Sequence, residues 1–410
     1  MVKEKYINKV REISINVVKT QVESIRRKDI EKTGLRIYKD GYIGCSGAIG
    51  KYDEAELEKK AMGSLKNKIS YAYEPEGNLT IKEDFSQKII KEEELLNEFE
   101  ELLSILRKEQ PNFDFYNKLN LLEQEARLFN NKGLDLYYKD KYISLELIFK
   151  EKSSIHIMDG LVGFMGRKYD KDLVLRDINR VCNAFLNKVE LPNKKRMPVV
   201  FDSYERLPFM KLLQELNGNN FGSNSSLLSD KMGKKVFNDN FTLYQTNNPE
   251  YWPLPFFDAE GVVNKNYRYD LIEKGIIVSP YTDKRTAHKY NLPLTGSAKA
   301  EYDGVPTLGE PMLQIEESKK TAKELLGGEM GIYVAIAFGG DFTPEGKFST
   351  PVQLAFLFDG ENFIGKLPEL NISSNLFDMF GNSFIGVSKD FVSPLSKSRY
   401  LIIEMEVSKL

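Results

Sequence analysis

Apolar residues near the start of the chain repeat at two different periods. Two β-prone runs, residues 34–38 and 42–46, flank the dipeptide Asp40-Gly41, and this pattern predicts a hairpin. Asp53 and Glu54 precede apolar residues at helical spacing, so a helix is expected to begin there. Ahead of the hairpin, helical spacing predicts a first helix that carries five apolar residues: Tyr6, Val10, Ile13, Val17 and Val18.

The middle of the chain predicts two amphipathic helices separated by strands. The first helix is predicted to begin at Ser86, and its apolar stripe would either mediate dimerisation or cover the protein's own sheet, the favoured interpretation. A second helix is predicted over residues 173–186. Alternation of apolar and polar residues, together with an Asn-Lys-Gly turn, predicts a meander of three strands between these helices: 126–130, 134–138 and 142–149.

The segment Leu191–Pro198 interrupts every period, because it holds two prolines and three consecutive cations. We therefore predict a linker over 191–198, between an N-terminal domain (1–190) and a C-terminal domain (199–410). Beyond the linker, one short helix over 207–216 is followed mostly by strands. This segregation predicts an α+β fold, with a mixed helix and sheet domain first and a strand-rich domain with few helices second.

Composition narrows the classes of function. The chain has 410 residues and a net charge of -2, so no basic surface for nucleic acid is predicted. No stretch has the length and apolarity of a transmembrane helix or a signal peptide, so no membrane association is expected. Two cysteines are too few for a disulfide framework and favour a cytoplasmic location.

Candidate chemistry is sparse. A catalytic zinc site usually takes three protein ligands, mainly His, Cys, Asp or Glu. The chain has only two histidines, His156 and His288, and they are far apart in sequence. We predict no cofactor and no catalytic residue. Two catalytic alternatives remain open. Cys45 could act as a nucleophile with His156 as its base, or Asp258 and Glu260 could act as an acid and base pair. A structural cysteine and structural carboxylates are the favoured interpretations.

Four stretches resemble the TldD/PmbA family, whose members are also named for a proposed modulation of DNA gyrase. The segment Phe256–Val262 reads Phe-Phe-Asp-Ala-Glu-Gly-Val and is similar to the family's Phe-Asp-Asp-Glu-Gly-Val, with Ala259 in place of the middle aspartate. The other stretches occur in the family's order along the chain: residues 34–57, residues 287–298, and the landmarks at 331, 346–349, 359–360 and 375–379.

This resemblance implies a particular branch of the family. One branch, TldD, carries His-Glu-x-x-x-His on a helix, and a cysteine in the C-terminal domain completes its zinc site. The other branch, PmbA or TldE, lacks these ligands and pairs with the first as a cytosolic peptidase. Aligned without gaps, this chain has Phe209, Met210 and Gln214 at the motif's three chemical positions. The chain therefore resembles the PmbA/TldE branch.

The resemblance also implies where substrate or a partner would bind. The family's landmark loops include five residues that we take as candidate positions of a substrate or interface loop: Asp258, Glu260, Thr295, Gly296 and Asn375. The function expected from the resemblance is a zinc-free subunit that binds extended or unfolded peptide and completes the cleft of a zinc-bearing TldD-like partner. A homodimer is an alternative assembly. The alternative function is a self-associating peptide-binding or protein-binding module without peptidase activity.

Overall fold

The computed structural model describes residues 1–410. Its first half contains eight strands and three helices: β1 (Val2–Val18), β2 (Gln21–Lys39), β3 (Tyr42–Ile49), α1 (Glu54–Ser64), β4 (Ile69–Ser70), β5 (Leu79–Asp84), α2 (Glu92–Glu109), β6 (Phe113–Asn130), β7 (Leu134–Glu151), β8 (Gly160–Gly166) and α3 (Lys171–Leu186).

The second half is richer in strands, and its helices are short. It contains β9 (Arg196–Asp202), α4 (Met210–Glu215), α5 (Gly218–Gly222), β10 (Leu243–Thr246), β11 (Arg268–Glu273), β12 (Ile276–Ile277), α6 (Lys284–Tyr290), β13 (Ala298–Lys299), β14 (Thr307–Leu308), β15 (Leu313–Ile315), α7 (Ala322–Leu326), β16 (Gly331–Ala337), β17 (Asp341–Phe342), β18 (Lys347–Phe358), β19 (Phe363–Lys366), β20 (Leu370–Asn375), α8 (Leu376–Met379), β21 (Phe384–Phe391) and β22 (Arg399–Lys409).

The first sheet has the strand order β4-β3-β2-β1-β6-β7-β5, and β8 also pairs with β7. All of its pairs are antiparallel except β5 with β7. In the second half, β16, β9, β22, β20 and β18 pair in turn, and β18 pairs back to β16, so this sheet closes on itself. A separate sheet has the order β12-β11-β10-β15 and leaves β15 at its edge. The α+β class with a strand-rich second half is confirmed.

The prediction of a first helix is wrong. Residues 2–18 form strand β1, which pairs with β2 on one side and with β6 on the other. Ile13, Ile15 and Val17 are buried and alternate with more polar neighbours, which is the two-residue period of a strand. The helical spacing of the apolar residues was therefore coincidental, and long-range pairing determined the structure.

Further element boundaries differ from the prediction. The predicted first strand of the meander, 126–130, is the end of a longer strand, β6, which begins at Phe113. The predicted second and third strands of the meander are one strand, β7, because Asp140 stays in the sheet and its carboxylate accepts a hydrogen bond from Arg167 Nε at 2.8 Å. The helix predicted from Ser86 begins at Glu92, as α2. Its apolar stripe is buried in the protein's own core, as the favoured interpretation predicted: Leu95, Phe99, Leu102, Leu103 and Leu106.

Two apolar cores of 35 buried residues each hold the chain together. The first combines residues of the first sheet, of α2 and of α3 with the outer face of the closed sheet, where Val200 and Ile402 lie. The second includes the opposite faces of the same two strands, where Val199 and Ile403 lie. Strand β9 begins at Arg196, so the end of the predicted linker belongs to a sheet. Division into two domains stays a prediction. No helix is long and apolar enough to cross a membrane.

Candidate functional site

A cleft of about 790 Å³ lies where the first sheet meets the second half of the chain. Tyr6 of β1 and Arg36 of β2 form its N-terminal wall. The remaining lining residues come from four segments of the second half: 203–213, 247–259, 296–301 and 307–313. A cleft of this size with mixed apolar and polar walls is the default candidate for a binding site.

The apolar wall of the cleft includes Phe209, which directly precedes helix α4, and Leu213 within that helix. Pro208 occupies the short 3-10 turn that precedes this helix, where a missing N–H costs no helical hydrogen bond. The Phe209 ring also stacks on Phe380, with the ring centroids 6.5 Å apart. The helix therefore presents one apolar edge to the cleft and packs the other into the second core.

The residues that the ungapped alignment matches to the family's zinc motif do not suit a zinc ion. Phe209 and Met210 carry no side-chain ligand suited to a divalent cation, and the Gln214 amide is a weak ligand. Gln214 is exposed, and its Oε1 accepts a hydrogen bond from Lys211 Nζ at 3.1 Å. Of the three, Phe209 alone lines the cleft.

Asp258 lines the same cleft and organises a turn rather than a strand. Its Oδ1 accepts hydrogen bonds from the backbone N–H groups of Glu260 and Val262, both at 2.9 Å, and its Oδ2 accepts one from Ala298 N–H at 3.0 Å. Burial raises the pKa of this carboxyl group to about 6, while the three N–H donors oppose the rise. Asp258 thereby ties the segments 258–262 and 297–298 together.

Glu260 lies behind the cleft wall and links the two halves of the chain. Its Oε1 accepts a hydrogen bond from the Tyr71 hydroxyl, and its Oε2 accepts one from the backbone N–H of Lys284 at 2.9 Å. Burial, followed by the negative charge of Asp258, raises the pKa of Glu260 to about 7. Both carboxyl groups of the alternative acid and base pair are thus engaged in structural hydrogen bonds, as the favoured interpretation predicted.

Thr295 and Gly296 form part of the same turn region. Thr295 is buried, and its Oγ1 accepts a hydrogen bond from Thr282 N–H at 2.8 Å. Gly296 lines the cleft with a φ of +74°, a conformation that favours glycine. A Cβ at this position would also lie 2.8 Å from Val262 Cγ1. These two residues therefore shape the cleft wall.

Asn375 lies apart from this group. It caps helix α8, because its Oδ1 accepts hydrogen bonds from the backbone N–H groups of Phe377 at 3.1 Å and Asp378 at 3.0 Å. It is not among the residues that line the cleft. The structure thus brings Phe209, Asp258 and Gly296 to one cleft, with Glu260 and Thr295 supporting its wall.

The alternative cysteine chemistry has no support in the geometry. Burial raises the pKa of the Cys45 thiol to about 11, so the thiol is protonated at neutral pH and is a poor nucleophile. His156 is exposed in the loop between β7 and β8, and the His288 ring packs against Tyr73 with 5.5 Å between ring centroids. Neither histidine donates or accepts a hydrogen bond with Cys45.

Sequence analysis missed five charged residues of the cleft: Arg36, Arg206, Lys299, Glu301 and Glu310. Arg36 lies near the end of β2 between Leu35 and Ile37, and a cation inside an apolar run was a visible signal. Arg206 and Glu310 form an ion pair in the cleft wall, with 2.6 Å between Nη2 and Oε2. No local pattern connects two residues so far apart in the chain, so this pair required the fold.

Known proteins resemble the chain along its full length. An uncharacterised protein of Methanocaldococcus jannaschii is 22% identical over 391 residues, which cover 90% of this chain and 87% of that protein. The solved structure of TldE from Thermococcus kodakarensis superimposes with a TM-score of 0.74 at 22% identity, covering 100% of this chain and 96% of that one. At such identities, a structural match establishes the fold alone.

A second solved structure, from Thermotoga maritima, belongs to a protein named for a proposed modulation of DNA gyrase. It superimposes with a TM-score of 0.79 at 15% identity and covers 99% of this chain and 96% of that one. A sequence model of the PmbA/TldA metallopeptidase C-terminal domain matches residues 194–408, which is more than half of the chain. The chain therefore belongs to the PmbA/TldD metallopeptidase family, as its four landmark stretches predicted.

Proposed function

We propose that this protein is the zinc-free subunit of a TldD/TldE-type cytosolic metallopeptidase. In this role it binds extended or unfolded peptide and completes the cleft of a zinc-bearing TldD-like partner. One observation carries the proposal: Phe209, which the ungapped alignment matches to the first histidine of the zinc motif, lines the cleft of this chain. On this alignment, the chain has a cleft in which a phenylalanine ring takes the place of a zinc ligand.

The edge of strand β15 supports binding of an extended peptide. This strand pairs with β10 alone, and Leu313 lines the cleft. Thr246 N–H donates to the Met312 carbonyl, and Glu316 N–H donates to the Thr242 carbonyl. Because antiparallel pairs alternate, the N–H and C=O groups of Leu313 and Ile315 lie on the other edge of β15. All three residues of β15 are buried, and Leu313 is where this edge reaches the cleft. There a peptide would bond through its main chain, with little requirement for sequence.

Absence of a convincing nucleophile supports a division of labour between two chains. Peptide hydrolysis requires an activated water molecule or an activated nucleophile. Cys45 is protonated, and Asp258 and Glu260 are bonded to the backbone, as described above. A zinc-bearing partner would supply the activated water, and this chain would supply peptide-binding surface. A location in the cytoplasm belongs to the same proposal and agrees with two free cysteines.

The proposal is tested by assaying unfolded peptide cleavage with three samples: this chain, a TldD-like chain carrying His-Glu-x-x-x-His, and their mixture. We expect no cleavage by this chain alone and a gain in activity for the mixture over the partner alone. A mixture that is no more active than the partner, with peptide still bound by this chain, would favour the self-associating binding module instead. Cleavage by this chain alone in the presence of a chelator would overturn both.

A further inference from the structure

Arg36 brings a buried guanidinium group to the cleft. Its neighbours in β2, Leu35 and Ile37, pack against α1 in a small apolar cluster. Because side chains alternate along a strand, Arg36 projects from the opposite face, where it lines the cleft. Only 3% of the residue is exposed. A charged group buried to this degree is normally fully paired.

The hydrogen bonds of Arg36 leave most of its donors unused. A guanidinium group has five N–H donors. Nη1 donates to Glu4 Oε1 at 3.3 Å and to the Ala259 carbonyl oxygen at 2.5 Å. Nε is buried and has no hydrogen-bond partner. Buried donors without partners are rare in folded proteins, so this surplus indicates a missing acceptor.

The nearby acids do not supply that acceptor. Glu4 also accepts hydrogen bonds from the Tyr38 hydroxyl at 2.9 Å and from Asn130 Nδ2 at 3.2 Å, so its oxygens are already engaged. Asp258 accepts three backbone N–H groups. In the cleft wall, Glu310 is paired with Arg206. The acceptor for Arg36 would therefore have to come from a ligand.

The surrounding backbone fixes the position of the Arg36 side chain. Gly34, two residues before Arg36, lies against the loop that contains Tyr302, and a Cβ on Gly34 would lie 1.6 Å from the Tyr302 carbonyl oxygen. Only glycine permits this approach, and the loop thereby closes over β2 beside Arg36. The bond from Arg36 to the Ala259 carbonyl fixes the guanidinium group to the turn that Asp258 organises. The donor group is thus preorganised.

We propose that Arg36 binds the carboxylate group of a peptide whose apolar side chains occupy the cleft. Planar guanidinium groups match carboxylates in geometry and charge. The same cleft is lined by Phe209, Leu213 and Phe257, which would receive apolar side chains of the peptide. The carboxylate can be the peptide's C-terminus or an Asp or Glu side chain. This inference rests on the proposed peptide-binding function and adds a chemical preference to it.

The test measures binding of three labelled peptides of one apolar sequence to the purified full chain. One peptide has a free C-terminus, one has a C-terminal amide, and one has the amide plus an internal glutamate. We expect amidation to weaken binding about tenfold or more, which is the effect of losing one charge-assisted hydrogen bond. Recovery by the internal glutamate would show that the site accepts an acidic side chain as well as a C-terminus, and no recovery would assign the preference to the C-terminus alone. Tighter binding of the glutamate peptide with no effect of amidation would assign the preference to acidic side chains.

The variant Arg36→Lys tests the residue itself. Lysine keeps the positive charge beside Glu4 but removes the guanidinium fork, so the chain should fold while the preference for carboxylate falls to about twofold or less. Arg127→Lys is the matched control, because that guanidinium is paired with Asp135 at 2.7 Å outside the cleft lining, and it should keep the wild-type ratio. Thermal unfolding of both variants verifies that they fold.

The remaining outcomes separate this inference from the proposed function. Equal binding of all three peptides to the wild type would overturn the role of Arg36 and leave the peptide-binding function standing. A carboxylate preference that survives in Arg36→Lys would do the same. Failure to bind any peptide, together with no gain of activity in the mixture with a zinc-bearing partner, would overturn both.

Discussion

Lys211 and Glu215 form an ion pair on helix α4, with 2.8 Å between Nζ and Oε1, and both side chains are almost completely buried. They lie in the segment that the ungapped alignment matches to the metal motif of the family's zinc branch. Glu215 also accepts the backbone N–H of Leu227, so the pair fastens the following loop to the helix. A structural ion pair, four residues apart, thus stabilises the helix segment that lines the cleft with Phe209.

Removing one partner of this pair should destabilise the protein strongly. In Lys211→Met, the Glu215 carboxylate would remain buried without its counter-charge, and we expect the free energy of unfolding to fall by about 3–5 kcal/mol. Chemical denaturation of the variant and the wild type measures this difference. The double variant Lys211→Met with Glu215→Leu removes both charges and should recover much of the loss. A single variant as stable as the wild type would contradict the prediction.

Glu260 should make stability depend on pH. Its pKa is raised from 4.5 to about 7 in the folded protein, so the folded state holds its proton over that interval while the unfolded state has released it. The contribution of Glu260 to the free energy of unfolding is therefore greatest below about pH 4.5 and is lost as the pH rises toward 7. The expected loss is about 1–3 kcal/mol. Denaturation at a series of pH values measures it.

Glu260→Gln is the variant that isolates this contribution. Glutamine cannot ionise. The free energy of unfolding of this variant should therefore change less with pH than that of the wild type, between about pH 5 and about pH 8. Asp202 provides a matched control, because burial raises its pKa to about 6 at a place outside the cleft lining. Asp202→Asn should leave the Glu260 contribution in place. Identical pH profiles for the wild type and Glu260→Gln would refute the assignment.

Trypsin should cleave the native protein after Lys194 or Lys195 before it cleaves after Arg196. Both lysines are exposed in the connection ahead of β9, whereas Arg196 pairs with Glu406 within the closed sheet. Mass spectrometry of the first fragments identifies the cleavage sites. The variant Lys194→Ala with Lys195→Ala should resist this cleavage, and a first cut after Arg196 would contradict the prediction.

The two tryptic fragments should remain associated after cleavage. The first core packs Leu102 of α2 and Ile178 of α3 together with Val200, Phe356 and Ile402 of the closed sheet. Separating these residues would expose a large apolar surface to water, which is unfavourable. Size-exclusion chromatography should therefore show both fragments in one peak under native conditions and in two peaks in denaturant. Spontaneous separation would instead support two independent domains.

Local patterns predicted the elements whose signals are local. The hairpin at Asp40-Gly41 and the helix capped by Asp53 follow from turn and cap chemistry, and the structure contains both. Strand β1 was misassigned because five apolar residues at helical spacing outweighed the alternation of Ile13, Ile15 and Val17. Its long pairing with β2 and β6 is a tertiary effect that periodicity does not encode.

The candidate site was predictable only where residues are close in sequence. The turn around Asp258 and the neighbouring Glu260 were visible as one motif, and the structure places Asp258 at the cleft. Arg36 and Phe209 come from distant elements, and no spacing rule brings them together. Asn375 was grouped with these residues by resemblance, yet it caps α8 outside the cleft lining. Such assembly depends on how the two halves of the chain pack.

The purified protein should retain no stoichiometric zinc. Phe209 lies in a 3-10 turn and lines the cleft, whereas Gln214 lies in α4 and is exposed, so the two positions do not converge. By the resemblance, the zinc branch completes its site with a cysteine of the C-terminal domain, and this chain has no cysteine after Cys182. Replacing all three residues by the zinc motif should therefore not create a tight site. Elemental analysis would measure the zinc bound per chain in three identically prepared samples: this chain, a zinc-bearing partner, and the triple variant Phe209→His, Met210→Glu and Gln214→His. Stoichiometric zinc in the wild-type chain would overturn the assignment to the zinc-free branch.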